Sequence, residues 1–186
     1  LGRAAAEGLM AGGVAPVMKH IPGHGRARAD SHLELPVVEA SREELKAVDF
    51  APFKANADLP MAMSAHVVYT HIDATAPATL SKTVIGEIIR GRIAFDGLLM
   101  TDDLSMKALT GGFRQRAERA IGAGCDMVLH CNGDLAEARP VAEGAPTLAG
   151  KALARAEKAL ECVRRIEPFD AAEATSEFEA AMSAAA

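Results

Sequence analysis

Four short apolar runs punctuate the chain: VAPVMKHI (14–21), LPMAMSAHVV (59–68), GLLMTDD (97–103) and DMVLHC (126–131). Each is nearly continuous rather than alternating, which is the pattern of a parallel strand covered on both faces. Between and after these runs, apolar positions recur at helical spacing. SREELKAVDFAPFKANA (41–57) opens on Ser41, and Glu44 completes a capping box. In SKTVIGEIIRGRI (81–93), Val84, Ile85, Ile88 and Ile89 share one face behind another serine cap. FRQRAERAIGAG (113–124) ends on a glycine suited to a C-cap. KALARAEKALECVRRIE (151–167) sets Leu153, Ala156, Leu160 and Val163 on one stripe.

Strand and helix therefore alternate four times. The pattern predicts an α/β fold with four parallel strands alternating with helices, which is half of an eight-stranded (β/α)8 TIM barrel. A four-stranded open sheet is the alternative, but no glycine-rich fingerprint follows the first run. Residues 1–167 are expected to form the half barrel, with 168–186 as an alanine-rich tail. Polar residues gather where each predicted strand ends: Lys19 and His20, Ser64 and His66, Asp102 and Asp103, His130 and Asn132. A barrel enzyme builds its site at that face.

Composition narrows the partners. A net charge of −5 gives no reason to expect nucleic acid or an anionic membrane surface. No apolar run approaches the roughly 20 residues that span a bilayer. The chain opens LGRAAAEGLMAGG, without an initiator Met or a secretory leader, and reads as a piece of a longer one. Its three cysteines, Cys125, Cys131 and Cys162, have no framework spacing, so a reducing, cytoplasmic setting is expected.

Three histidines crowd KHIPGHGRARADSHLELP (19–36), a stretch too broken to be a helix. One reading is a metal site from His20, His24 and His32, with Asp30. Pro22, Gly23 and Gly25 prevent the helix that would align the first two histidines, and no cysteine lies near, so no metal or other cofactor is expected. The other reading is acid–base. Asp30-Ser31-His32 sets a carboxylate two residues from an imidazole, whose tautomer it would fix and whose basicity it would raise. In TDDLS (101–105), adjacent carboxylates on a strand point to opposite faces, so one faces a shared site while the other caps or binds backbone N–H groups. His130 beside Cys131 is a poor nucleophile pair for the same reason.

KHIPGHG, ADSH, MSAHVVY, FDGLLMTDDLSM and AGCDMVLHCN, in that order, resemble the β-N-acetylglucosaminidases of glycoside hydrolase family 3 over residues 1 to about 167. The resemblance implies a TIM barrel of which this chain is the C-terminal half, the preceding half being absent. It implies Asp102 as nucleophile, His32 as general acid/base with Asp30 as its partner, and Lys19 and His20 as sugar contacts. His66 and Asn132 rank second as pocket residues. The implied activity is exo-acting and retaining, on a muropeptide or chitooligosaccharide, in cytoplasmic peptidoglycan recycling. The alternatives are a metal-dependent barrel hydrolase and a non-catalytic fragment that binds sugar or a partner chain. Half a barrel would also expose two strand edges, a reason to expect self-association.

Overall fold

A computed structural model describes residues 1–164 and 168–184. Helix α1 (Gly2–Ala11) leads into strand β1 (Val17–Ile21). The broken segment follows, closed by the two-residue strand β2 (Val37–Val38). Ser41 then caps a helical stretch made of α2 (Arg42–Glu44), a π-helical Leu45–Asp49 and α3 (Ala51–Lys54), and the Ser41–Glu44 capping box is present. Strands β3 (Met61–Ser64) and β4 (Val68–Tyr69) precede the π-helical Val84–Arg92. Strand β5 (Leu98–Asp103), α4 (Phe113–Ala123), β6 (Met127–Leu129), α5 (Leu135–Gly144), α6 (Gly150–Glu161) and α7 (Ala171–Ala184) complete the order.

One sheet runs β1-β3-β5-β6 and is parallel throughout. Each long strand lies beside the one before it, so the sheet grows in one direction only. That is barrel order; a doubly wound sheet reverses at a switch point. The second sheet pairs β2 with β4, also parallel. Among the described residues, β1 and β6 each pair on one side only.

The register sorts the side chains by face. Met18, Ala62 and Leu99 stand side by side, as do Lys19, Met63 and Met100, with Met127 next to Met100. Ala62 and Leu99 are fully buried in the main core with Ile21, Phe50, Tyr69 and Phe95. The face bearing Lys19, Met63, Met100 and Met127 is only partly covered. Val84, Ile85, Ile88 and Ile89 all enter the core, as their spacing requires. Burial is worth about 1.5–3 kcal/mol per such side chain, against under about 1 kcal/mol of helix propensity per residue. Packing therefore outweighs the β-branched residues' dislike of helix. Gly124 ends α4 in the left-handed region (φ 119°), as its C-cap role demands.

Several features depart from the sequence expectation. β1 starts at Val17 and β3 stops at Ser64, so both strands are shorter than their apolar runs. Helix α6 buries Ala159 and leaves Leu153, Leu160 and Val163 exposed, so the leucine stripe is not its packing face. The last part of that predicted helix, 165–167, and the expected boundary after 167 lie outside the described residues. The tail forms α7, which buries none of its residues. α1, α5 and the β2/β4 pair were not foreshadowed by the pattern; α5 carries Pro140 inside it.

One carboxylate stitches the strand starts together. Asp126 accepts from the Leu99 N–H (2.8 Å), from Arg90 (2.7 Å) and from Arg155 of α6 (2.9 Å), and Arg155 also binds Asp96. With Asp126 buried, losing it leaves the Leu99 N–H without its carboxylate and takes the buried counter-charge from two guanidinium groups, Arg90 keeping the Phe95 and Gly97 carbonyls and Arg155 keeping Asp96. Asp126→Ala should cost about 3–5 kcal/mol in urea unfolding. A loss below the ~1 kcal/mol of an exposed pair would show the cluster to be incidental.

Candidate active site

Hydrogen bonding decides between the two aspartates at the end of β5, where the register against β6 shifts between Met100 and Asp103. Both are half-buried, and they differ in what their oxygens meet. Asp103 is fully engaged: Oδ1 accepts from the Ser105 N–H (2.9 Å) and the Cys131 N–H (3.1 Å), and Oδ2 from the Ser105 hydroxyl (2.5 Å). Those bonds hold its carboxyl below the usual carboxylate range despite burial. In Asp102, Oδ1 accepts from the Asp103 N–H (2.8 Å), and Oδ2 faces His20 Nε2 at 3.5 Å. Its side chain is 16% exposed and that of His20 28%. A carboxylate oxygen is thus presented at the strand ends.

His20, next to last in β1, sets its ring edge-on to His24, centroids 5.9 Å apart. Lys19 is exposed beside it. Together with Gly23, Gly25, Asp49 and Phe53 they line a cavity of about 320 Å³. The loop is pinned from below by the sole tyrosine, fully buried in β4, whose hydroxyl donates to the Gly23 carbonyl (2.5 Å). Gly23 itself sits at φ 140°, where a side chain would be strained and would press on Asp49.

Asp30 and His32 do meet. Asp30 Oδ1 accepts from the His32 N–H (2.9 Å) and lies 2.9 Å from His32 Nδ1. The Leu33 and Glu34 N–H groups bond the Asp30 carbonyl, closing a tight turn. The carboxylate fixes the proton on Nδ1, so Nε2 is left free for exchange. The His32 N–H, then its ring, hold the Asp30 carboxyl low. The side chains are 75% and 60% exposed, and no hydrogen bond or ion pair joins them to Asp102 among the described residues.

The second-rank residues land elsewhere. His66 is fully buried behind the strand ends, with both ring nitrogens engaged, rather than lining a surface. The Asn132 amide donates to Glu137 (2.5 Å), and its oxygen accepts from the Asp134 N–H, so Asn132 shapes the turn before α5. His20, His24 and His32 are not gathered: among the described residues no group of three or more His, Cys, Asp or Glu is arranged to hold a metal ion. Thr79, which anchors His66, carried no sequence signal; Tyr69, which anchors the loop, stood out only as the sole tyrosine and the last residue of MSAHVVY.

Residues 1–166 match the family model of the glycosyl hydrolase family 3 N terminal domain. The chain belongs to glycosyl hydrolase family 3. It is 45% identical over 141 residues to a beta-hexosaminidase of Bordetella pertussis, covering 74% of this chain and 40% of that one. Among solved structures it resembles the NagZ of Neisseria gonorrhoeae in complex with N-trifluoroacetyl-D-glucosamine, at 35% identity and a TM-score of 0.75, covering 95% of this chain and 53% of that one. It also resembles a family 3 beta-N-acetylglucosaminidase from Paenibacillus, at 34% identity and a TM-score of 0.71, over 87% of this chain and 31% of that one. The chain spans about 40% of the length of the curated relatives it matches. The half-barrel architecture is the one these family 3 structures share with it.

Two histidines of this family 3 chain are held mainly uncharged. Burial lowers the pKa of His66, opposed by the Asp103 carbonyl and the two nearby carboxylates. Burial also lowers that of His20, opposed by Asp102 and reinforced by Lys19, His24 and His66. A ring whose folded pKa lies below its unfolded value binds fewer protons when folded. Stability is then full above the unfolded value, about 6.5, and falls as pH drops through that window. Urea unfolding should therefore show lower stability at pH 5.5 than at pH 7.5. His66→Gln should flatten part of that slope; an unchanged slope would locate the proton uptake elsewhere.

Proposed function

We propose that this chain carries the catalytic groups of an exo-acting, retaining β-N-acetylglucosaminidase. The observation that supports it most is the division of labour at the end of β5. Asp103 is saturated by N–H and O–H donors, whereas Asp102 presents a carboxylate oxygen beside His20 on the strand-end face. A retaining glycosidase needs a nucleophile on one side of the anomeric carbon and an acid on the other. Asp102 attacks that carbon and forms a covalent glycosyl-enzyme. His32, with Asp30 holding its Nδ1 proton, protonates the departing oxygen from Nε2 and then takes a proton from the incoming water. The exposed dyad has to approach Asp102 when sugar is bound. Lys19 and His20 bind the sugar hydroxyls, Lys19 as a donor and His20 through an imidazole kept neutral.

The substrate class proposed is an N-acetylglucosamine-terminated muropeptide or chitooligosaccharide, processed in the cytoplasm during peptidoglycan recycling. The names of the relatives, beta-hexosaminidase and beta-N-acetylglucosaminidase, support the sugar, and three free cysteines agree with a reducing compartment. No helix among the described residues is long and apolar enough to cross a membrane. The unpaired outer edges of β1 and β6 support self-association of the chain.

Trapping with a slow fluorinated N-acetylglucosaminide needs only one turnover and tests the nucleophile directly. Peptide mapping should find the label on Asp102, and Asp102→Ala should take none. A label on Asp103 would overturn the assignment.

His32→Ala should slow substrates with poor leaving groups by about 10²–10⁴-fold and activated aryl glycosides far less in the first step. Breakdown of the intermediate then becomes slow, and azide, which needs no deprotonation, should restore turnover as a β-glycosyl azide. Uniform loss across leaving groups, with no azide product, would make His32 a binding residue only.

A further inference from the structure

His66 ends in the core, yet its hydrogen bonds lead to the nucleophile's neighbour. Nε2 lies 3.0 Å from the Asp103 carbonyl and Nδ1 2.8 Å from the Thr79 hydroxyl. Thr79 Oγ1 is also 2.8 Å from Ser64 Oγ and 3.0 Å from the Ala65 carbonyl. The proton count orders this chain. A carbonyl only accepts, so Nε2 must carry a hydrogen. The ring is wholly buried and held neutral, so Nδ1 is bare and must accept. Thr79 has one hydrogen and two acceptors in reach, His66 Nδ1 at 2.8 Å and the Ala65 carbonyl at 3.0 Å; the bare Nδ1 draws it into the shorter contact, which the carbonyl shares. The Ser64 hydroxyl is then the donor to Thr79. The relay runs Ser64 to Thr79 to His66 to the Asp103 carbonyl, from the end of β3 to the end of β5.

Asp103 is the residue where this relay meets the site: its carbonyl lies in the peptide it forms with Leu104, its N–H in the preceding one. Its N–H holds Asp102 Oδ1, and the Asp103 side chain holds Ser105 and Cys131. We propose that His66 is a positioning residue: by fixing the Asp103 carbonyl it sets the direction of the Asp102 carboxylate and keeps Oδ2 facing His20 at the strand ends. This rests on the reading of Asp102 as nucleophile. The sugar never touches His66; its contribution is orientation, and a misplacement of about 1 Å in a reacting group can cost on the order of 10²-fold.

Two amide variants separate the two nitrogens. His66→Gln keeps a donor where Nε2 stood and so can still reach the Asp103 carbonyl. His66→Asn keeps a partner for Thr79 but falls short of Asp103. His20 reports the position of Asp102, because it faces that carboxylate together with Lys19, His24 and the ring of residue 66 itself. NMR titration of the full chain should show the His20 pKa displaced downward in His66→Asn, as the raising charge moves off, and returned towards wild type in His66→Gln. In the trapping experiment, labelling of Asp102 should slow by about 10²-fold in His66→Asn, with His66→Gln recovering most of it. Melting temperatures measured alongside should not follow that order.

Nitrogen-15 NMR of the wild-type chain needs no variant and should find the hydrogen of His66 on Nε2 at pH 7.5. A hydrogen on Nδ1 would overturn the relay. Equal labelling rates in the Asn and Gln variants, or rates that track melting temperature, would overturn the positioning role while leaving Asp102 as nucleophile. Absence of label on Asp102 in the wild type would overturn both.

Discussion

The backbone amides beyond the ends of β5 and β6 have left the sheet ladder and need acceptors, and side chains of β5 supply them. Asp103 takes the Ser105 and Cys131 N–H groups, and the Thr101 hydroxyl takes that of Leu129 (2.9 Å). The Leu104 N–H returns the bond to the Leu129 carbonyl (2.9 Å). These bonds fix the strand ends. Those of Ser105 and Leu129 are part-buried and that of Cys131 is exposed, so the penalty for losing an acceptor falls mainly on the first two. Everything at the candidate site inherits that fixity. Asp103 is consumed by it, whereas Asp102 accepts from the Asp103 N–H and turns its other oxygen toward His20. Two adjacent, chemically identical side chains are set apart by the donors each one meets.

The same logic explains what could be read from the residues. The four strands were legible because their apolar runs are short, dense and followed by polar residues. The Asp30–His32 pair was legible because a spacing of two in a turn brings a side-chain oxygen back to its own backbone. Alternation said only that one of Asp102 and Asp103 would face a shared site; the choice of Asp102 came with the family resemblance. Other features were not legible, because they depend on contacts distant in sequence. Nothing local tells that Tyr69 holds Gly23, 46 residues away, or that Asp126 gathers Arg90 and Arg155. The stripe of α6 misled because periodicity reports which residues share a face, not which face meets the sheet; a small residue, Ala159, lets the helix approach closely where leucine would not.

The methionine-bearing face has a different character from the core. Met63, Met100 and Met127 lie on the side of the sheet opposite the packed helices, with Lys19 in the same row and Asp102 further along that face. Thioethers adapt their shape readily, so such a row tolerates varied neighbours. A cation and a carboxylate on the same side cannot be buried cheaply unless they meet partners. The face therefore combines apolar surface that favours covering with charges that favour water or a polar ligand. Sugar rings, apolar on their faces and rich in hydroxyls at their edges, suit that mixture.

Three histidines show how environment assigns roles to one side chain. His66, sealed in the core, must satisfy both nitrogens and has no exchange with solvent, so its value is directional. His20, partly covered and facing a carboxylate, is drawn two ways: burial lowers its proton affinity and Asp102 raises it. Burial prevails, which suits an imidazole that accepts as well as donates at neutral pH. His32, mostly in water on a turn, keeps one nitrogen on Asp30 and the other open. A proposed proton-transfer group has to be reachable, and the exposed turn makes His32 so. A buried ring could not serve, because charging it would forfeit solvation. On the proposed reading, the exposed loop carries the proton-transfer imidazole and the core carries the orienting one.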